Sequence, residues 1–146
     1  MTESQGATIR RTFAAPRDLV FDAWVTPRHF ATWFGGSDVD VPLDSVSMDV
    51  RPGGIWKATM IIGNGVPDMH WFGEFVEVDR PDKLVLTMAD RPGDARELVS
   101  VTLTEVPDGT EMLFHQSGGN MSADEYERTA AGWQTFFDAM ETLVAG

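Results

Sequence analysis

The residues able to do covalent or acid–base chemistry are few and scattered. Cysteine is absent from the 146-residue chain, which removes a disulfide framework, a thiolate metal site and a cysteine nucleophile together. No Gly-x-Ser-x-Gly elbow occurs, and Ser117-Gly118-Gly119 reads as a turn. The histidines are His29, His70 and His115. His29 and His115 read as solvated or core-edge side chains. His70 stands beside Trp71 and Phe72, and Glu74 follows in the same strand alternation, so a carboxylate–imidazole pair is the acid–base candidate. As metal ligands the two would lie about 13 Å apart along a strand, too far to share an ion. Asp38-x-Asp40-x-x-x-Asp44 lacks the central glycine and terminal glutamate of a calcium loop. No phosphate-cradling glycine pattern is present. Asn120-Met121-Ser122 fits a glycosylation acceptor but reads as incidental in a chain without a secretion signal. No metal and no cofactor are expected.

What remains is apolar chemistry. The chain carries 5 Trp, 9 Phe and 8 Met against a single Tyr; such side chains fill a core, and they also adapt to irregular apolar ligands. Charge narrows the partners. With 11 Lys and Arg against 23 Asp and Glu, the net charge is −12, and phosphate backbones and anionic lipid surfaces repel such a body. Arg10-Arg11 and the scattered arginines make no basic patch, so neither nucleic acid nor membrane is expected as a partner. The acidity itself reads as a device for solubility. No run of about 18 apolar residues occurs, and Met1-Thr2-Glu3-Ser4-Gln5-Gly6 lacks the basic and apolar regions of a signal peptide. A cytoplasmic location is expected.

The elements that would position these side chains can be read from periodicity and turn residues. One domain over 1–146 is expected, with residues 1–7 as a flexible N-terminus. Thr8–Phe13 reads as a first strand. A helix follows from Ala15-Pro16-Arg17-Asp18, with proline in its first turn and Leu19, Val20, Ala23 and Trp24 as its buried stripe. Thr26 caps a second short helix whose apolar side is Phe30, Trp33 and Phe34, ending at Gly35-Gly36. The period then changes to two, predicting strands at Ser45–Val50, Ile55–Ile62, Met69–Val78, Leu84–Ala89, Leu98–Val106 and Thr110–Gln116. Arg51-Pro52-Gly53-Gly54 suits a type II turn, and Asp79–Asp82 and Pro107-Asp108-Gly109 suit hairpins. Consecutive hairpins imply an antiparallel meander. From about Ser122 to Ala145 the helical period returns, with Trp133, Phe136, Phe137, Met140, Leu143 and Val144 on one side and Tyr126 and Ala130 extending it. That face has only the sheet to bury against.

This order of elements resembles the helix-grip fold of the SRPBCC superfamily, which includes START domains and the birch-pollen allergen. The motifs narrow the resemblance. Ile9-x-Arg11-x-Phe13-x-Ala15-Pro16 followed by Val20-Phe21-x-Ala23-Trp24, then Trp33-Phe34-Gly35, Gly53-Gly54-x-Trp56 and Met60 are similar to the family of the activator of the heat-shock protein 90 ATPase. Gly73-x-Phe75-x-Glu77-Val78, Pro81-Asp82-Lys83-Leu84-Val85 and Gly132-Trp133 continue the series over almost the whole chain. The resemblance implies an α+β fold in which a curved antiparallel sheet of six to seven strands wraps a long C-terminal helix.

It also implies an apolar cavity between sheet and helix. Trp133, Phe136, Phe137 and Met140 are the helix candidates for its lining, and Trp56, Met60, His70, Phe72, Met88, Met112 and Phe114 the strand candidates. Trp33 and Phe34 would stand near the entrance. The expected function is binding of a hydrophobic or aromatic small molecule there, by a binding module rather than an enzyme. Three alternatives accompany the resemblance. The first is a cyclase or aromatase using His70 or Glu74 to polarise a carbonyl inside the pocket. The second is a resistance protein that traps a reactive enediyne or is cleaved by it, for which Gly118 and Gly119 are the candidate radical-cleavage site. The third is a co-chaperone with a chaperone partner.

Overall fold

Hairpin turns and period-two segments produce a seven-stranded sheet, and the three helical segments lie on one side of it. The computed structural model describes residues 6–90, 96–119 and 121–145. In chain order the elements are β1 (Gly6–Phe13), α1 (Arg17–Val25), α2 (Pro27–Trp33), β2 (Ser47–Met48), β3 (Ile55–Met60), β4 (Met69–Asp79), β5 (Lys83–Met88), β6 (Glu97–Val106), β7 (Gly109–Ser117) and α3 (Ala123–Ala145). The sheet order is β1-β7-β6-β5-β4-β3-β2. Every neighbour is antiparallel, and the curved sheet holds α3 across its concave face. The fold is the α+β helix grip.

Several boundaries move, each for a local reason. Residues 1–5 of the expected flexible N-terminus and Asn120 of the glycosylation sequence lie outside the described residues. Gly6 and Ala7, placed in that N-terminus from the sequence, open β1, paired with Ser117 and Gln116. The predicted strand Ser45–Val50 shrinks to Ser47–Met48 because Leu43–Ser45 forms a 3-10 turn. There the Ser45 hydroxyl donates to the Pro42 carbonyl at 2.7 Å. Leu19, expected in the buried stripe of α1, is 45 % exposed; the stripe is centred on Val20, Phe21 and Trp24, which turns Leu19 outward. Thr26 makes no side-chain cap. Its backbone instead joins the two helices, donating to the Asp22 carbonyl and accepting from the Phe30 amide. The Arg51–Gly54 turn forms as expected, with Gly53 at φ +85° and the Gly54 amide on the Arg51 carbonyl at 2.8 Å.

Helix α3 is tied down at both ends. Tyr126, Trp133, Phe137, Met140 and Val144 form its buried stripe, and Phe136 and Leu143 flank it half-buried. Near its C-terminal end, Arg11 of β1 reaches across to Asp138 at 2.7 Å and Glu141 at 2.9 Å, and to the Gln134 side-chain carbonyl at 3.0 Å. The Arg11 side chain is only 18 % exposed. Its burial works against the charge, but the two carboxylates outweigh it and hold the pKa above its ordinary value. At the N-terminal end Ser122 and Glu125 form a capping box. The Ser122 amide donates to Glu125 Oε1 at 2.9 Å and the Glu125 amide to Ser122 Oγ at 3.2 Å. The Ser122 amide and then its hydroxyl lower the Glu125 carboxyl below its ordinary range.

Replacing Arg11 with Ala is expected to destabilise the protein by about 1–2 kcal/mol in denaturant titration, with the difference shrinking as salt rises. A salt-independent loss would point to packing of the aliphatic stem instead. A lowered folded pKa contributes stability above the unfolded carboxyl value and loses it as pH falls through the folded one. Glu125→Gln should therefore lower the melting temperature at neutral pH, and the difference should vanish as pH falls through the lowered folded carboxyl value.

Candidate ligand-binding site

Strand pairing decides which side chains face α3. Trp56, Ala58 and Met60 of β3 are buried, and their partners across the ladder are Gly73, Trp71 and Met69 of β4. That phase of β4 therefore points inward. His70, Phe72 and Glu74 point the other way, opposite Thr59, Lys57 and Ile55. His70 is exposed, its Nδ1 3.1 Å from the Thr59 hydroxyl. Glu74 lies 3.5 Å from Arg96, whose guanidinium covers the Phe72 ring at 5.4 Å. The alternation expected from sequence is off by one residue on this strand, and neither acid–base candidate reaches the interior.

The physical cause is Gly73. The indole N–H of Trp56 donates to the Thr87 carbonyl of β5 at 2.8 Å, crossing β4 to do so. A Cβ on Gly73 would collide with both partners. Only a glycine in the inward phase lets a tryptophan cross its neighbour strand, so Trp71 and Phe75 take the inward positions on either side.

The space between sheet and helix divides in two. One half is filled by aromatic rings. Trp24 of α1 lies 4.8 Å from Trp33 and 6.3 Å from Phe114; Trp133 lies 4.7 Å from Phe114 and 5.6 Å from Phe137. Phe30 stacks on Phe34 at 4.5 Å, and Phe34 meets Trp56 at 6.1 Å. The void left among Trp24, Phe34, Trp56 and their neighbours is about 10 Å³, at the limit for a single water. Trp33, Phe34, Trp56, Met112, Phe114, Phe137 and Met140 are thus almost wholly buried core. They line no open space, and Trp33 and Phe34 do not stand at an entrance.

The other half is open. A cavity of about 680 Å³, partly exposed to solvent, lies between the N-terminal part of α3 and the ends of β3–β7. Met60, Trp71, Met88 and Ala89 line it from the sheet, and Met121, Gly132, Trp133 and Phe136 from the helix side. Four of the residues expected there from sequence are present: Met60, Met88, Trp133 and Phe136. The polar lining is Asp90, Glu97, Gln116, Glu125 and Thr129, so the described residues supply three carboxylates and no cation. Gly118 and Gly119 do not line it. Among the described residues no three His, Asp or Glu side chains converge as a metal site.

A hydrogen-bonded chain orders the polar wall. The Trp133 indole N–H donates to Gln116 Oε1 at 2.6 Å, and Gln116 Nε2 donates to Glu97 Oε1 at 3.0 Å. Glu97 packs over Gly119, where a Cβ would coincide with its carboxylate. The Tyr126 hydroxyl accepts the Gly119 amide at 3.3 Å. Burial first, and a hydrogen bond with Glu97 second, hold this phenol above its ordinary pKa. The Trp71 indole N–H is buried without a partner among the described residues.

Sequence reading missed Trp71, Ala89, Asp90, Glu97, Gln116, Met121, Glu125, Thr129 and Gly132. Signals existed for some of them. Gln116 shares the inward phase of Met112 and Phe114, and Glu97 that of Val99, Val101 and Leu103. Ser122-x-x-Glu125 is a capping-box pattern, and Gly132 breaks an otherwise helical run.

The comparisons agree with this fold. The family model for Activator of Hsp90 ATPase homolog 1-like protein matches residues 14–145. No curated protein matches the sequence. Among solved structures, protein CV1439 from Chromobacterium violaceum superposes with a TM-score of 0.86 at 20 % identity, covering 97 % of this chain and 98 % of that one. The AHSA1-like protein from Aeromonas hydrophila gives a TM-score of 0.79 at 22 % identity, over 97 % and 92 %. CalU16 from Micromonospora echinospora gives 0.69 at 21 %, over 94 % and 74 %. At these identities the likeness is one of fold.

Tyr126 is the chain's single tyrosine, so alkaline difference absorbance reads it alone. Its midpoint is expected above the usual value of about 10, and Glu97→Gln should bring it part of the way back. Ordinary titration in both proteins would mean that the hydroxyl is solvated and the polar wall differently arranged.

Proposed function

The chain belongs to the family of Activator of Hsp90 ATPase homolog 1-like proteins, and from that premise we propose that it binds a hydrophobic, ring-bearing small molecule in the half-open cavity beside α3. The observation that carries this reading is the cavity itself. A space of about 680 Å³ falls within the ~300–1,000 Å³ usual for ligand sites. It persists beside a core in which the remaining void is about 10 Å³. Aromatic rings from β4 and α3 form part of its walls, and of its polar groups Gln116, Glu97 and Glu125 are held by hydrogen bonds.

The chemistry of the lining narrows the ligand. Trp71, Trp133 and Phe136 offer π surfaces that favour flat rings. Asp90, Glu97 and Glu125 disfavour an anion and accept a neutral or positively charged group. Burying ~300 Å² of apolar ligand at ~25 cal/mol per Å² gives about 7 kcal/mol before association costs, which corresponds to a Kd of about 10 µM at best from burial alone. Such an affinity suits a carrier, sensor or sequestering protein in the cytoplasm. No helix among the described residues is long and apolar enough to cross a membrane.

Fluorescence titration with two dyes tests the reading. Neutral Nile red is expected to bind saturably and more tightly than the anionic dye ANS. Phe136→Ala should weaken Nile red about tenfold, the equivalent of 1.4 kcal/mol, while circular dichroism shows it folded. No saturable binding by the wild-type protein, or preference for the anionic dye, would contradict the assignment.

A further inference from the structure

Helix α3 carries a second stripe beside its core stripe: Glu125, Thr129, Gly132 and Phe136, spaced four, three and four residues apart, all lining the cavity. Gly132 is the anomaly in it. A glycine inside a 23-residue helix is unfavourable relative to alanine, so its presence needs a reason. Other glycines have structural ones. Gly73 makes room for the Trp56 indole, and Gly119 for the Glu97 carboxylate. Gly35 and Gly36 have φ values of +91° and +81°. Gly132 has none of these. It lies within regular helix, and a Cβ built on it would meet nothing within 4 Å. Neither backbone conformation nor packing excludes a larger residue. The empty space that such a residue would enter is the cavity.

We propose that Gly132 is the size-selecting position of this cavity, and that the occupant is a flat ring system laid against the bare helix backbone there, beside the contacting rings of Trp133 and Phe136 and facing the Trp71 wall. This rests on the ligand-binding reading above. Without a side chain at 132, a planar group can approach the helix backbone closely while its edges meet the two neighbouring rings. Any side chain at that position would stand in the ligand's place. Stability favours filling the position, and ligand capacity favours leaving it empty.

Two substitutions separate the effects. Gly132→Ala is expected to raise the melting temperature by about 3 °C, because it removes the helix penalty without a clash. Gly132→Leu should keep the melting temperature at or above the wild-type value and weaken Nile red binding at least tenfold. A fall in melting temperature for Gly132→Ala would show that the fold itself requires the glycine and would overturn the proposal. Nile red binding by Gly132→Leu within twofold of wild type, with Phe136→Ala still impaired, would overturn the Gly132 assignment and leave the ligand-binding reading standing. Failure of the wild-type protein to bind Nile red saturably would remove both.

Discussion

The hydrogen bond from the Trp133 indole to Gln116, at 2.6 Å, is the contact on which the interior is organised. A buried indole N–H left without an acceptor costs about 1–3 kcal/mol, and Gln116 is the one buried amide side chain among the described residues. Satisfying the donor pins the ring plane of Trp133 between α3 and β7. That ring then serves as a partition. On one side it packs against Phe114 and Phe137; on the other it forms a wall of the cavity. The same amide passes the constraint on to Glu97, so core packing and the polar face of the cavity share one anchor.

Why only half of the grip is filled follows from where the short helices sit. Helices α1 and α2 bring Trp24, Phe30 and Trp33 over the sheet, and the backbone turn at Gly35-Gly36 adds Phe34. These rings saturate the space against β3, β5 and β7. They reach no further than Phe34, which touches Trp71 and Phe136 edge-on at 6.3 and 5.8 Å. Beyond that boundary the cavity-lining stripe of α3 passes from Phe136 to Gly132, Thr129 and Glu125, smaller and more polar than the core stripe beside it. The open volume is thus a consequence of chain length in α1 and α2 and of residue size on one stripe of α3.

Charge acts on a different scale. The net charge of −12 is spread over the surface and limits which partners approach. Asp90, Glu97 and Glu125 bring part of it to the cavity. Glu125 also caps its helix and Glu97 holds the Gln116 amide, so two of these carboxylates have structural duties as well as an effect on what the cavity accepts. Structure and selectivity are therefore coupled at the same atoms.

Much of this molecule was legible in the sequence. Period-two segments, the Pro-Gly turns and the aromatic run from Trp133 to Val144 encode strand, turn and helix locally, because each depends on residues a few positions apart. Their order, with the ordered motifs from Ile9 to Trp133, pointed to the helix grip. The cavity was another matter. Both phases of β4 carry an aromatic, Trp71 in one and Phe72 in the other, so alternation alone could not choose between them. The choice came from Trp56, which needs Gly73 beneath its indole to reach Thr87. Likewise a large aromatic residue reads the same whether it fills a core or lines a pocket. Which rings were consumed by packing, and which were left facing empty space, depended on distances between elements remote in sequence. Those distances exist only once sheet, helices and the Trp133–Gln116 contact are assembled.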